Sequence, residues 1–266
     1  MQPTLASIRL YPLKSAAALE PERAVVEARG LAGDRRWMVV DAEGRFVTAR
    51  KHPRLVLIRA RLDGPGLVLD APEMPSLRLV AAGAQPRLAA TVWRDRVDAL
   101  VADAQADAWI SRYLGFAARF VHMDADAARA VDPAFSQSGD EVSFADGFPL
   151  LLISAAALDA LNEKLATPVP MSRFRPNLVI AGVPPHAEDG WRSIRIGGIV
   201  FDVVKPCSRC VLTTVDPLRG EFDPGGEPLR TLAGYRRSPL GVTFGQNLIP
   251  RGRGPITVGD ALEIRA

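Results

Sequence analysis

Two cysteines and three histidines are the whole stock of soft and borderline metal ligands in this 266-residue chain. Two thiols cannot build a disulfide framework. They cannot hold an ordinary iron–sulfur cluster, which takes about four, nor close a structural zinc site by themselves. Any metal held here must bring most of its own ligands. His52, His122 and His186 are scattered, with no local partnership to a nucleophile. Lysine is scarce as well: only Lys14, Lys51, Lys164 and Lys205 carry ammonium groups. No stretch reaches the ~18 apolar residues of a membrane span. The start, "MQPTLASIRLYPLKS", lacks the basic residues and long apolar region of a secretory signal. The expectation is a soluble, cytoplasmic protein with no membrane partner. Runs of ~5 or 6 like charges are absent, and the formal net charge is only +3. A nucleic-acid partner is therefore not expected. GxxxxGK[ST], GxGxxG after a strand, HExxH and GxSxG are all missing.

What is present reads mainly as β-structure. "RWMVVDAEGRFVTAR" is two alternating runs around Asp41-Ala42-Glu43-Gly44, a hairpin signal. "LVLIRARLDGPGLVLDA" repeats it around Asp63-Gly64-Pro65-Gly66, and "TVWRDRVDALVA" is extended in character. The texture changes at Asp103, an N-cap for a helix that puts Trp109, Ile110, Tyr113 and Leu114 on one face and stops at Gly115. Ser154 opens a second helix with Leu158, Leu161 and Leu165 at helical spacing. Beyond Asn177 the chain returns to strands: "SIRIGGIVFDVV" around Gly197-Gly198, then "CVLTTVD" and "ITVGDALEI", with a short helix at "PLRTLAGYRR". The fold class is mainly β with α (α+β). A boundary near residue 120 divides it into an amino-terminal β-barrel-like domain, 1–120, and a second β-barrel domain, 121–266, with a few peripheral helices.

Both cysteines fall in "KPCSRCVLTTVDP". A lone CxxC has several readings. Cys207 and Cys210 can be small buried apolar residues, a thioredoxin-like dithiol, or half of a shared zinc site. The dithiol wants a helix N-terminus, and the β-branched "VLTTV" opposes one. A further reading makes one cysteine the thiolate ligand of a soft metal carried by a cofactor. That reading requires anion-binding groups elsewhere, for the organic part. "YPLKS" offers Lys14 and Ser15, "GDRRW" offers Arg35 and Arg36, and "SRFRPN" packs Ser172, Arg173, Arg175 and Asn177 together. On an extended chain Arg173 and Arg175 point the same way, giving a cationic face suited to phosphate.

These residues carry a resemblance. "SRFRPNLVIAG", "KPCSRCVLTTVDP" and "FGQN" resemble the MOSC domain. "YPLKS", "LAGDRRW" and "VTARKHPRLVLI" resemble the β-barrel domain that precedes it in the branch containing the amidoxime-reducing components. The resemblance implies molybdenum cofactor (Mo-molybdopterin) binding. It makes Cys210 the metal ligand, with Ser208 and Arg209 beside the pterin. Lys14, Ser15, Arg35, Arg175 and Asn177 map onto the cofactor-gripping positions. Gly147 and Phe148 occupy a cofactor-lining stretch where family members carry hydroxyl residues. Asp189, in "EDGW", maps as a catalytic acid. The implied activity is reduction of a small-molecule N-hydroxylated substrate: an amidoxime, a hydroxylamine or an N-hydroxylated base. Some relatives carry a fused ferredoxin domain. This chain has no cysteine to spare for one, so the expected donor is a separate ferredoxin, flavoprotein or cytochrome. The competing readings are a cofactor or sulfur carrier without turnover, and a thiol–disulfide oxidoreductase using both cysteines.

Overall fold

The computed structural model describes residues 2–80 and 85–265. Among them the fold is mostly β, with three α-helices: a nearly closed barrel and a half-barrel.

Alternating apolar residues build the barrel. Its strands run in the order Thr4–Ile8, Leu178–Ala181, Leu150–Ser154, Gly241–Pro250, Ile199–Ser208, Ser193–Ile196, Leu262–Arg265. Only the pair Leu150–Ser154 with Leu178–Ala181 is parallel. The ends nearly meet, because Leu5 donates to the Asp260 carbonyl at 2.9 Å and Leu262 to that of Pro3 at 2.8 Å. One face of these strands fills the barrel with Leu5, Ile8, Leu152, Leu178, Ile180, Ile194, Phe201 and Leu248. The opposite face of the same strands, through Leu151, Ile153, Val179 and Phe244, packs under the helix Ala155–Asn162 and the helix Leu229–Tyr235. A strand that buries side chains on both faces reads as a continuous apolar run, as "LLLI" does at 150–153.

The half-barrel combines a four-stranded sheet, ordered Trp37–Asp41, Ala118–His122, Asp95–Val101, Arg87–Val92, with a meander of Arg59–Asp63, Gly66–Asp70 and Leu77–Leu79. The helix Ala104–Leu114 closes its core with Trp109, Ile110 and Tyr113. That helix is capped as its sequence demands: Asp103 accepts from the Ala106 amide at 2.8 Å, and Gly115 takes the left-handed conformation with φ +79°.

Two strands of the first thirty-odd residues are woven into the barrel, while Leu13 and Ala16 between them enter the half-barrel core. Thr4–Ile8 pairs with Leu178–Ala181, and Arg23–Glu27 pairs with Gly254–Thr257. Two local expectations are corrected. "CVLTTVD" is not a strand: Val211–Thr214 forms a 3-10 turn. The Thr213 hydroxyl donates to the Cys210 carbonyl at 2.9 Å and the Thr214 hydroxyl to that of Val211 at 2.8 Å. These side-chain bonds to the local backbone override the β preference of threonine. "ITVGDALEI" is two short strands, Gly254–Thr257 and Leu262–Arg265, belonging to different sheets.

No helix among the described residues is long and apolar enough to cross a membrane.

Gly245 is where the barrel tolerates least. Its φ is +80°, and a Cβ there would lie 2.5 Å from Ile153 Cγ1 and 2.6 Å from the Leu152 carbonyl oxygen. Gly245→Ala adds backbone strain to overpacking, together about 2–5 kcal/mol. Urea unfolding of the variant is expected to show that loss; an unchanged midpoint would mean the strand shifts freely at this point.

Candidate functional site

A cleft opens at one end of the barrel, where it faces the half-barrel. The barrel supplies the end of Ile199–Ser208 with Cys207 and Ser208, followed by Arg209 and Cys210. It also supplies Asn247 from the neighbouring strand, Gly147 and Phe148 ahead of Leu150–Ser154, and Arg173, Arg175 and Asn177 ahead of Leu178–Ala181. The facing side is Lys14, Ser15, Arg35, Thr48 and Arg50. Twelve of the residues singled out from sequence therefore line one cleft: Lys14, Ser15, Arg35, Gly147, Phe148, Arg173, Arg175, Asn177, Cys207, Ser208, Arg209 and Cys210.

The lining holds six cations (Lys14, Arg35, Arg50, Arg173, Arg175 and Arg209) against one carboxylate, Asp146. The whole chain carries only +3, so its positive charge is concentrated here. Each cation is held by a specific partner. Arg35 donates to buried Asp34 at 2.6 Å and to the Asn177 side-chain oxygen at 3.0 Å. Asp34 also accepts from the Tyr11 amide at 2.8 Å. Two guanidiniums lie over the Tyr11 ring, Arg35 at 4.3 Å and Arg175 at 4.2 Å from its centroid. A ring face carries negative charge density, so Tyr11 attracts both cations. Asn177, almost fully buried, donates to the Arg9 carbonyl at 3.2 Å and accepts from the Leu151 amide at 3.2 Å. It ties the first strand to the strand beside it.

Lys14 donates to the Phe144 carbonyl and to Asp146, both at 2.6 Å, and Arg50 reaches the other oxygen of Asp146 at 2.6 Å. Burial pushes the Lys14 ammonium down to about 8, against the pull of Asp146. Burial works the other way on Asp146, opposing its ionisation, but the charges of Lys14 and Arg50 win and hold it well below the usual carboxylate range. Burial also lowers the Arg175 guanidinium, to about 10. Three guanidinium nitrogens of the lining, Arg173 Nε, Arg175 Nη2 and Arg209 Nε, are buried with no hydrogen-bond partner.

Backbone strain concentrates at the same place. Six non-glycine residues among those described have positive φ. Three of them, Ser15 at +72°, Arg35 at +48° and Arg175 at +57°, line the cleft. Such conformations cost of order 1–3 kcal/mol each and gather at functional sites. Arg173 and Arg175 do converge on the cleft, but not on an extended segment. Met171–Arg173 is a 3-10 turn, and the left-handed Arg175 turns the chain back.

Both thiols are free and both line the cleft. Arg209 Nη1 lies 2.9 Å from Cys207 Sγ, and the Ser208 hydroxyl donates to the Leu240 carbonyl at 2.7 Å.

Asp189 is not among the lining residues. Its two oxygens are engaged elsewhere, accepting from Gln246 Nε2 at 2.7 Å and pairing with Arg236 Nη2 at 2.6 Å. Arg36, from the same "GDRRW", turns away from the cleft to Glu27. Sequence reasoning missed Asp146, Arg50, Thr48 and Asn247. Arg50 lies inside the quoted "VTARKHP", and Asp146 immediately precedes Gly147, so adjacency to recognised positions was the available signal.

Two family models match this chain one after the other. Residues 2–117 match the MOSC N-terminal beta barrel domain and residues 139–263 match the MOSC domain. The chain belongs to the MOSC family. Its relatives include mitochondrial amidoxime-reducing component 1 of Mus musculus, 35% identical over 97% of this chain and 81% of the relative. The Homo sapiens component 1 is 36% identical over the same shares of each chain, 97% and 81%. Homo sapiens component 2 is 33% identical over 88% and 72%. Among the described residues of this MOSC protein, no three of His, Cys, Asp and Glu group together to hold a bare metal ion.

The lowered Lys14 makes anion binding pH-dependent in a defined sense. Below about pH 8 the ammonium is charged and attracts an anion; above it the charge is lost. Sulfate, whose own charge is constant over this range, is expected to bind the cofactor-free protein progressively more weakly as pH rises through about 8. Isothermal titration calorimetry of wild type and Lys14→Met checks this. The variant is expected to bind more weakly and to lose that pH dependence.

Proposed function

We propose that the cleft holds the molybdenum cofactor between the two domains, 1–120 and 121–266, and that the protein is a reductase of N-hydroxylated compounds. The observation that carries this reading is the charge imbalance of the lining: six cations, one carboxylate, and three buried guanidinium nitrogens without partners. An anionic tail satisfies such a cradle, and bidentate arginine contacts suit phosphate. The thiols fit as well. A dithiolene brings its own sulfur, so one cysteine completes the set. The absence of a three-ligand cluster among the described residues agrees with a metal that arrives already chelated.

In this reading Lys14, Ser15, Arg35, Arg175 and Asn177 grip the phosphate and pterin. Gly147, Phe148, Ser208 and Arg209 flank them, and Cys210 ligates the metal. When bound, the cofactor supplies two-electron reduction of the substrate N–O bond, with electrons from a separate redox protein. The net change is R–NHOH plus two electrons and two protons to R–NH2 plus water. The chain's part is positioning and proton supply. Lys14 Nζ, 2.6 Å from Asp146, holds a proton in the cleft. Asp146 stays ionised and fixes that ammonium in the cleft. The proton-handling role expected of Asp189 thus passes to Lys14 and Asp146. Asp189 instead orients Gln246, whose chain neighbour Asn247 lines the cleft.

Expression in a host that makes the pterin, followed by elemental analysis, tests the reading. Wild type is expected to carry molybdenum and to reduce benzamidoxime with an artificial donor. Loss of an outer contact to a metal site typically costs about 10–100-fold, and loss of a ligand costs at least that. Cys210→Ser is therefore expected to lose activity by about a hundredfold or more, while Cys207→Ser keeps most of it. Equal loss in both variants from a molybdenum-free wild type would favour dithiol chemistry instead.

A further inference from the structure

We propose that Trp93 is the substrate platform of the cleft: its indole packs against planar aromatic N-hydroxylated compounds and sets a preference for them over small aliphatic ones. This inference rests on the reductase reading and deepens it.

Trp93 and Arg94 are the two-residue loop between Arg87–Val92 and Asp95–Val101, whose last pair is Val92 with Asp95. Trp93 has φ +56°, and Arg94 is not among the residues with positive φ. This is the φ pattern of the hairpin turn whose first central position is ordinarily glycine. A bulky side chain there is sterically disfavoured. Core packing does not account for it, since the residue is 42% exposed. The chain has only four tryptophans, and one of them stands exposed on a strained loop tip.

Its surroundings show where it is aimed. Trp93 is not itself a lining residue, but its indole Nε1 lies 3.4 Å from Oδ1 of Asp146, which is. The Arg50 guanidinium, also a lining residue, sits 4.3 Å over the indole ring. Phe46 braces it at 4.9 Å, tilted by 59°. Three neighbours, two of them lining residues, therefore fix the ring beside the cleft and leave part of it uncovered. Strain of this kind is retained where it positions a functional group. An aromatic surface held rigid beside a polar reaction site takes a flat, apolar ring by offset or edge-to-face packing. A substrate whose N-hydroxyl group enters the cleft would leave an attached aromatic ring at this position.

The test uses the loaded protein as wild type, Trp93→Gly and Trp93→Phe. Benzamidoxime and hydroxylamine binding are measured by calorimetry, with the indole N–H signals of 15N-labelled protein followed by NMR. Trp93→Gly is expected to weaken benzamidoxime binding by about three- to tenfold, the range of one aromatic pair. Hydroxylamine binding is expected to stay unchanged. The variant is expected to melt no lower than wild type, because glycine accepts this φ. Trp93→Phe restores most of the affinity. The inference is overturned if wild type and Trp93→Gly bind benzamidoxime alike, if hydroxylamine is weakened equally, or if benzamidoxime moves none of the indole signals. Binding that depends on Trp93 without any reduction would instead count against the reductase reading and leave the platform intact.

Discussion

Like charges packed into a poorly solvated cleft dominate this molecule. Six cations share a lining with one carboxylate, and neighbouring like charges in such surroundings repel by roughly a few kcal/mol. Much of the local architecture is explained as management of that repulsion. Asp34, fully buried, neutralises Arg35 and raises its guanidinium even though burial alone would lower it. The Tyr11 ring face attracts both Arg35 and Arg175. Asp146 bridges Lys14 and Arg50. The strained backbone at Ser15, Arg35 and Arg175 belongs to the same account, since each strained residue aims at the cleft. The fold carries these costs, and a bound anion would repay them.

The weaving of the chain makes the arrangement rigid. Thr4–Ile8 is a barrel strand, and the segment that follows it delivers Tyr11, Lys14 and Ser15 to the half-barrel side of the cleft. Asn177 bonds to Arg9, Arg35 and Leu151, which come from three parts of the chain. A cofactor gripped at this junction is held by both halves, and neither half alone offers the full set of contacts. Lys14 and Asp146 pair within the same lining, and Trp93 lies beside Asp146.

Much of this was legible in the sequence. The helix starting after Asp103 and the Gly197-Gly198 hairpin follow from local rules of capping and turn chemistry, and the structure has both. The cleft residues were legible through several short motifs in one order. What could not be read was anything decided by distant partners. "VLTTV" looks like a strand by propensity, but two threonine hydroxyls fold it back on itself. Arg173 and Arg175 share a site through a turn and a left-handed residue, which no period-two argument describes. Asp189 is committed to Arg236 and Gln246, contacts across 47 and 57 residues of chain. The position of Trp93 depends on Arg50, Phe46 and Asp146 meeting in space.

The central claim is that an anion-bearing cofactor relieves the cationic cleft. Thermal unfolding of the same chain, prepared from hosts with and without the pterin pathway, tests it most directly. The account predicts that fully loaded protein melts well above cofactor-free protein, and that Arg175→Ala shrinks the difference. Loaded and cofactor-free proteins melting at the same temperature would contradict it.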